Sequence, residues 1–93
     1  MDKILILFTM KGCPFCEMMK EQLKESEIEF YERDIEEHES EYDLFVEITE
    51  NEYVPAFMIV ESPNDVPRSH LYAPERDFDE IEDGVRIIKE HLK

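Results

Sequence analysis

The sequence predicts an α/β fold in which a four-stranded mixed sheet carries helices on both faces. The main observation is the order of two patterns along the chain. Short apolar runs, typical of strands, and stretches with recurring apolar residues, typical of helices, follow each other as strand, helix, strand, helix, strand, strand, helix. The second observation is the length of 93 residues, which suits one small domain. We therefore expect residues 1–93 to form a single unit.

The first half of the chain predicts a strand-helix-strand unit. "ILILF", residues 4–8, is continuously apolar, as in a strand that is buried on both faces of a sheet. An amphipathic helix is expected over residues 14–25, and "IEFYERDI", residues 28–35, mixes β-branched and aromatic residues as strands do. The apolar face of the helix comprises Phe15, Met19 and Leu23. A right-handed crossover should make these two strands parallel.

Capping signals predict two further helices. After an acidic turn, Ser40 and Asp43 resemble a capping box for a helix that runs to about Glu50. Near the C-terminus, Asp77 and Glu80 can cap the last helix. One apolar stripe of this helix consists of Phe78, Ile81, Val85, Ile88 and Leu92.

The third and fourth strands are predicted to form a hairpin. "AFMIV", residues 56–60, is apolar, and a second short strand is expected over residues 68–72. Between them, "SPNDVP", residues 62–67, has the composition of a turn. The hairpin supplies the antiparallel part of the mixed sheet.

The charge balance excludes several classes of partner. The chain has 25 acidic and 10 basic side chains, a formal net charge of -15 at pH 7. Such a surface repels nucleic acid and anionic membranes, whereas it suits either plain solvation or selection of a basic partner. The first apolar run is too short for a secretory signal or a membrane span, so we expect a cytoplasmic protein.

Both cysteines lie in one motif, "CPFC", as Cys13 and Cys16. A structural disulfide is disfavoured in a reducing compartment and would remove little chain entropy over so small a loop. Two cysteines alone do not complete a tetrahedral zinc site, and the three histidines, His38, His70 and His91, have no ligand spacing with them. We therefore expect no metal site and favour a redox-active dithiol.

The motif also predicts which sulfur reacts first. If the helix begins at Pro14, Cys13 is its N-cap, and the free N–H groups of Phe15 and Cys16 point at the Cys13 sulfur. Hydrogen bonds and the helix dipole should lower the pKa of Cys13 below about 8.5. Cys13 is then the nucleophile and Cys16, further inside the helix, the resolving thiol. Lys11 adds a nearby positive charge.

"CPFC" at the start of the first helix, together with "YVPAF" at residues 53–57, resembles the dithiol glutaredoxins of the thioredoxin superfamily. The resemblance implies a thioredoxin fold and one glutaredoxin-like domain over residues 1–93. It also implies a thiol-disulfide oxidoreductase of electron transport and cell redox homeostasis. Such an enzyme reduces protein disulfides or glutathione mixed disulfides through Cys13 and Cys16. Glutathione is then a co-substrate, and no cofactor is bound.

The same resemblance implies a set of substrate-binding residues. Pro55 should follow a cis peptide bond and face the cysteines, and the backbone of Val54 should contact the substrate. The family's Gly-Gly-x-Asp-Asp segment, which holds glutathione, is replaced by "LYAPERDF". Asp77 is the substitute we expect there. The second helix also lacks the basic residue that holds the glycyl carboxylate of glutathione in the family, and Arg76 or Arg68 could replace it. The complete set of substrate or glutathione contacts is Lys11, Pro14, Phe15, Val54, Pro55, Arg76 and Asp77.

Two alternatives stay open. One is a thioredoxin-like electron donor, for example to ribonucleotide reductase, that a thioredoxin reductase recharges. The other is an iron–sulfur cluster carrier, which Pro14 disfavours because the family's carriers usually have Gly or Ser there. The expected partners are disulfide-containing proteins and either glutathione or a thioredoxin reductase, with the chain itself a monomer.

Overall fold

The apolar run near the N-terminus forms an inner strand of the sheet. In a computed structural model that describes residues 3–61 and 68–92, strand β1 (Lys3–Thr9) pairs in parallel with β2 (Tyr31–Asp34). Helix α1 (Pro14–Glu25) connects them, with the bounds that the periodicity predicts. The strand-helix-strand unit is therefore confirmed.

The hairpin strands complete the sheet on the other side of β1. Strand β3 (Ala56–Glu61) runs antiparallel to β1, and β4 (Arg68–Tyr72) runs antiparallel to β3. The strand order is β2-β1-β3-β4, a four-stranded mixed sheet as predicted. The turn predicted at residues 62–67 lies outside the described residues.

Helices cover both faces of this sheet. On one face, α1 and α3 (Ile81–His91) pack over a core of Leu5, Leu7, Met19, Leu23, Phe57, Ile59, Phe78, Ile81, Val85 and Ile88. On the other face lies a second core cluster. Helix α2 (Glu39–Thr49) contributes Tyr42 and Phe45 to it, and these pack with Phe8, Ala56 and Ala73. Strand β1 contributes to both clusters, which explains why its sequence does not alternate between apolar and polar residues. No helix in the described part of the chain is long and apolar enough to cross a membrane.

Strand β2 is shorter than the sequence predicts. Pairing is confined to Tyr31–Asp34, although the apolar pattern begins at Ile28. The N–H of Ile28 donates to the carbonyl of Leu23 and closes the end of α1, while Ile28 and Phe30 pack against the core from a loop. Their apolar character reflects this packing and not strand pairing.

The predicted capping box of α2 is wrong. The helix begins at Glu39, so Ser40 lies within its first turn, and His38 is an N-cap without a side-chain capping bond. The preceding chain is held instead by Asp34, whose carbonyl accepts the N–H of His38 at 2.9 Å. This turn starts the helix earlier than the Ser40–Asp43 pattern suggests.

The predicted capping role of Asp77 is also wrong. Helix α3 begins later, after the N-cap Glu80, whose side chain makes no capping bond. The carboxylate of Asp77 accepts the N–H of Ala73 at 2.9 Å and pairs with Arg76 at 2.8 Å. Asp77 therefore fixes the loop between β4 and α3, and Phe78 enters the core from that loop.

One polar cluster ties the end of β1 to β2 and α1. The hydroxyl of Thr9 donates to the Glu32 carboxylate at 2.7 Å, and the Lys20 ammonium donates to the same oxygen at 3.0 Å. These contacts lower the pKa of Glu32, with the Thr9 bond the largest contribution and Lys20 the next. The pKa of Lys20 is raised in turn, mainly by Glu32.

This cluster predicts a pH-dependent contribution to stability. A carboxyl whose pKa falls on folding stabilises the fold above its unfolded pKa, and the contribution is lost as the pH falls through the folded pKa. Because Glu32 is partly exposed, we expect Glu32→Gln to lower the free energy of unfolding at pH 7 by at most about 1 kcal/mol. The difference from the wild type should shrink below about pH 4. Urea unfolding at both pH values measures it.

Glu29→Gln is the matched control, because it removes the same charge from an exposed side chain that has no ion pair among the described residues. Glu29→Gln and Glu32→Gln each remove one negative charge, so both reduce the general repulsion among the acidic groups of the protein by the same amount. Equal unfolding free energies of the two variants at pH 7 would contradict the assigned role of the Glu32 cluster.

Candidate functional site

The two cysteines lie at the N-terminus of α1 and are joined by a disulfide, with their Cα atoms 5.2 Å apart. Cys13 is the N-cap in an extended conformation, and Pro14 occupies the first helical turn. The Cys13 Sγ accepts the N–H of Cys16 at 3.1 Å. The predicted cap is confirmed, but of the two expected donors only Cys16 makes the bond, and Phe15 does not.

The path from β1 to the disulfide is a tight turn. Gly12 has a φ of 75°, a left-handed conformation that glycine adopts without a steric penalty. The N–H of Cys13 donates back to the carbonyl of Met10 at 3.3 Å, which closes the turn. This turn places Cys13 at the edge of the fold. It follows directly after β1, the strand that contributes to the core on both faces of the sheet.

Of the two cysteines, Cys13 is the more accessible and Cys16 the more buried, as the sequence predicts. Cys13 is 7% exposed and Cys16 1% exposed. Next to them, Phe15 is 59% exposed, so it does not pack into the core with Met19 and Leu23, the other residues of the predicted apolar face. A partner that approaches this end of α1 therefore meets Phe15 and Cys13 before Cys16.

The peptide bond between Val54 and Pro55 is cis, as the resemblance implied. Pro55 is buried and Val54 half-buried, and together with Phe15 both line one groove of about 320 Å³. The groove thus joins the N-terminal turn of α1 to the segment before β3. These are three of the predicted substrate contacts.

The walls of the groove are apolar and acidic. The apolar walls are Phe15, Met18, Tyr53, Val54, Pro55, Pro74, Phe78 and Ile81. The acidic walls are Glu75, Asp79, Glu80 and Glu82. Within the described ranges, no lysine or arginine lines it. Sequence reasoning missed this acidic wall, although the run "PERDFDEIED" at residues 74–83 already carries the charge.

Four predicted contacts lie outside the groove walls. Lys11 and Pro14 are exposed beside the cysteines. Arg76 pairs with Asp77 and also donates to the carbonyl of Leu71 at 3.3 Å. Neither of this pair reaches the groove lining, so the roles of these four residues stay predictions.

Asn51 is a positioning residue that sequence reasoning missed. Its side-chain amide donates to the carbonyl of Pro74 at 2.8 Å, and its amide oxygen accepts the N–H of Tyr53 at 2.9 Å. Pro74 and Tyr53 belong to different loops that both line the groove. Asn51 therefore sets the distance between two walls, through a contact between residues 23 positions apart.

These features define the class of the protein. A β2-β1-β3-β4 sheet between helices, a Cys-x-x-Cys pair capping the first helix and a cis proline before the third strand form a thioredoxin fold with a thiol-disulfide site. Solved structures agree. A mutant of the thioredoxin-like protein BC3987 matches with a TM-score of 0.60 and 15% identity, over 90% of this chain and 97% of that one. A malarial protein matches with a TM-score of 0.59 and 18% identity, over 100% of both chains.

The family follows from the sequence comparison. The model of the glutaredoxin family matches residues 5–61, which contain the cysteine pair and the cis proline. The chain belongs to the glutaredoxin family. A comparison with curated proteins gives no significant match.

The site predicts unequal reactivity of the two thiols once the disulfide is reduced. At pH 6.5 we expect iodoacetamide to modify reduced Cys16→Ser protein about tenfold faster than Cys13→Ser protein, because the helix N-terminus stabilises the Cys13 thiolate. Mass spectrometry of timed samples measures both rates. In denaturant the two rates should converge. Equal rates in the folded variants would contradict the activation of Cys13.

Proposed function

We propose that this protein reduces disulfides in protein substrates through the dithiol form of Cys13 and Cys16. The observation that carries the proposal is the Cys13 sulfur, which caps α1 beside the groove of apolar and acidic residues that contains the cis proline. A nucleophilic sulfur, an adjacent resolving sulfur and a surface for the substrate chain are the parts that thiol-disulfide exchange needs. Because the dithiol must be regenerated, we also propose that the protein works in a reducing compartment such as the cytoplasm.

The reaction takes place in two exchanges. The Cys13 thiolate attacks one sulfur of the substrate disulfide, a bond forms between them, and the other substrate sulfur leaves as a thiolate that takes up a proton. The Cys16 sulfur then attacks Cys13 Sγ and gives up its proton, and the second substrate sulfur leaves and is protonated. Two electrons pass to the substrate, and the Cys13–Cys16 disulfide remains, which is the oxidised state of this structure.

The charge of the groove favours protein substrates over glutathione. Glutathione carries two carboxylates and one ammonium group, whereas four carboxylates line the groove and no described lining residue is basic. The arginine that could substitute, Arg76, is held by Asp77. Exposed Phe15 and Tyr53 offer an apolar surface to a peptide instead. The same observation favours the alternative recharging route, in which a thioredoxin reductase and not glutathione restores the thiols.

Turnover of a protein disulfide tests the proposal. Reduced protein should reduce the disulfides of insulin, Cys13→Ser should abolish the reaction, and Cys16→Ser should accumulate a mixed disulfide with the substrate. Recharging is then compared with glutathione and with NADPH plus thioredoxin reductase. Activity that survives Cys13→Ser would overturn the mechanism. Visible absorbance of the purified protein, abolished by Cys13→Ser, would favour the cluster carrier instead.

A charge variant tests the preference against glutathione. Glu75→Gln, Glu80→Gln and Glu82→Gln together should raise the rate at which glutathione reduces the Cys13–Cys16 disulfide by about three- to fivefold. The estimate assumes partly screened charges at about 8 Å.

Glu21→Gln, Glu25→Gln and Glu29→Gln together form the matched control. This triple variant has the same net charge, but its exposed changes lie in the C-terminal half of α1 and just beyond it. An equal increase in the control would show that net charge, and not the groove, governs the rate.

A further inference from the structure

We propose that Glu61, His70 and His91 form a binding site for a divalent transition-metal ion, with zinc as the best match. These residues come from the end of β3, from β4 and from the end of α3, and one ligand atom of each lies within 4.8 Å of the others. In sequence the histidines are dispersed, and we expected no metal site. The fold brings the rings of His70 and His91 to 4.9 Å between centroids.

The cluster lies at the opposite end of the fold from the disulfide. Strand β3 begins directly after the cis proline and reaches Glu61 about 17 Å further on, at about 3.4 Å per residue. Helix α3 begins at the groove with Ile81 and reaches His91 about 15 Å further on, at about 1.5 Å per residue. The two sites are therefore separate, and the metal proposal does not rest on the proposed redox function.

The backbone arrangement holds the ligands on one face. His70 pairs with Ile59 in the β3–β4 ladder, and Glu61 lies two residues beyond Ile59, so the side chains of Glu61 and His70 are diagonal neighbours on the same face of the sheet. Ile59 belongs to the core under α3, the helix that carries His91. Two paired strands and a packed helix thus converge on one point.

The donor set matches a known coordination preference. Two imidazole nitrogens and one carboxylate oxygen suit tetrahedral zinc with a fourth position for water. At zinc bond lengths of about 2.0–2.2 Å, ligand atoms lie about 3.3 Å apart, so atoms within 4.8 Å must approach by at most about 1.5 Å. Side-chain rotation alone covers such a distance. The net charge of -15 further favours binding of a cation.

A second observation points to a ligand at this place. The Nε2 atom of His70 is closed off from solvent and has no hydrogen-bond partner among the described residues. It faces the Glu61 carboxylate at 3.5 Å. This contact is too long to satisfy a buried nitrogen well, and a metal ion shared by His70 and Glu61 would satisfy it.

Two neighbours compete with the metal. The Lys3 ammonium lies 3.4 Å from the Glu61 carboxylate and donates to the backbone carbonyl of His91. The hydroxyl of Tyr72 contacts Nε2 of His91. Lys3 is thus the cation that neutralises Glu61 in this structure, and it opposes a second positive charge. Removing the Lys3 ammonium should therefore strengthen metal binding, whereas a purely structural polar cluster would gain nothing from that change.

Zinc titration of the oxidised protein tests the site, because sulfurs joined in a disulfide do not compete for the ion. After treatment with a chelator, isothermal titration with zinc chloride should give one ion per chain. We expect His70→Asn and His91→Gln each to weaken zinc affinity by at least tenfold. We expect Lys3→Met to bind zinc more tightly than the wild type. His38→Asn is the matched control, since His38 lies at the start of α2 and outside the cluster.

The thermal midpoint supplies a second measurement. Zinc should raise it in the wild type and in His38→Asn but not in His70→Asn. If His91→Gln does not fold, Glu61→Gln tests the same site with a nearly isosteric change. Equal zinc affinity of wild type, His70→Asn and Glu61→Gln, absence of binding, or weaker binding by Lys3→Met would each overturn the proposal.

Discussion

The redox site depends on one hydrogen bond, from the N–H of Cys16 to the sulfur of Cys13. Helix N-termini leave N–H groups without intrahelical partners, and an N-cap side chain usually satisfies one of them with oxygen. Here the acceptor is sulfur, and Pro14, in the first turn, has no N–H of its own to satisfy. The interaction that starts the helix is therefore also the one that stabilises a thiolate on Cys13 once the disulfide is reduced.

That arrangement depends in turn on β1. Its residues contribute to the core on both faces of the sheet, so the strand end is fixed, and the Gly12 turn places Cys13 immediately beyond it. The cis proline precedes β3, which pairs antiparallel with β1, so its loop lies at the same end of the sheet. The groove forms where these loops meet, and Asn51 links two of its walls.

Sequence patterns correctly predicted the features of the fold that depend on residues close together in the chain. The bounds of α1 and β4 follow from periodicity and turn chemistry, and the N-cap role of Cys13 follows from Pro14. The capping roles of Ser40 and Asp77 were wrong, because other hydrogen bonds hold these segments: the Asp34 carbonyl accepts the N–H of His38 before α2, and the Asp77 carboxylate accepts the N–H of Ala73. Competition of this kind is settled by tertiary structure, which short sequence windows do not contain.

The parts that could not be predicted depend on distant residues. Asn51 reaches Pro74 across 23 positions, and His70 meets His91 only because the C-terminal end of α3 lies against β4. Neither pair has a characteristic spacing in sequence. The cis bond before Pro55 was predicted only from the family resemblance, since most X–Pro bonds are trans.

The acidity of the protein acts differently on the sulfur and on the substrate. A single exposed carboxylate about 10 Å from Cys13 contributes about 0.4 kcal/mol before screening by salt, and salt removes most of that. The N–H of Cys16 acts on the Cys13 sulfur at hydrogen-bond distance, so we expect the helix end to outweigh these carboxylates once the disulfide is reduced. In the proposed function, in contrast, a substrate in the groove would lie directly against its four carboxylates. We therefore expect the same surface charge to leave Cys13 reactive while it selects which molecules reach this sulfur.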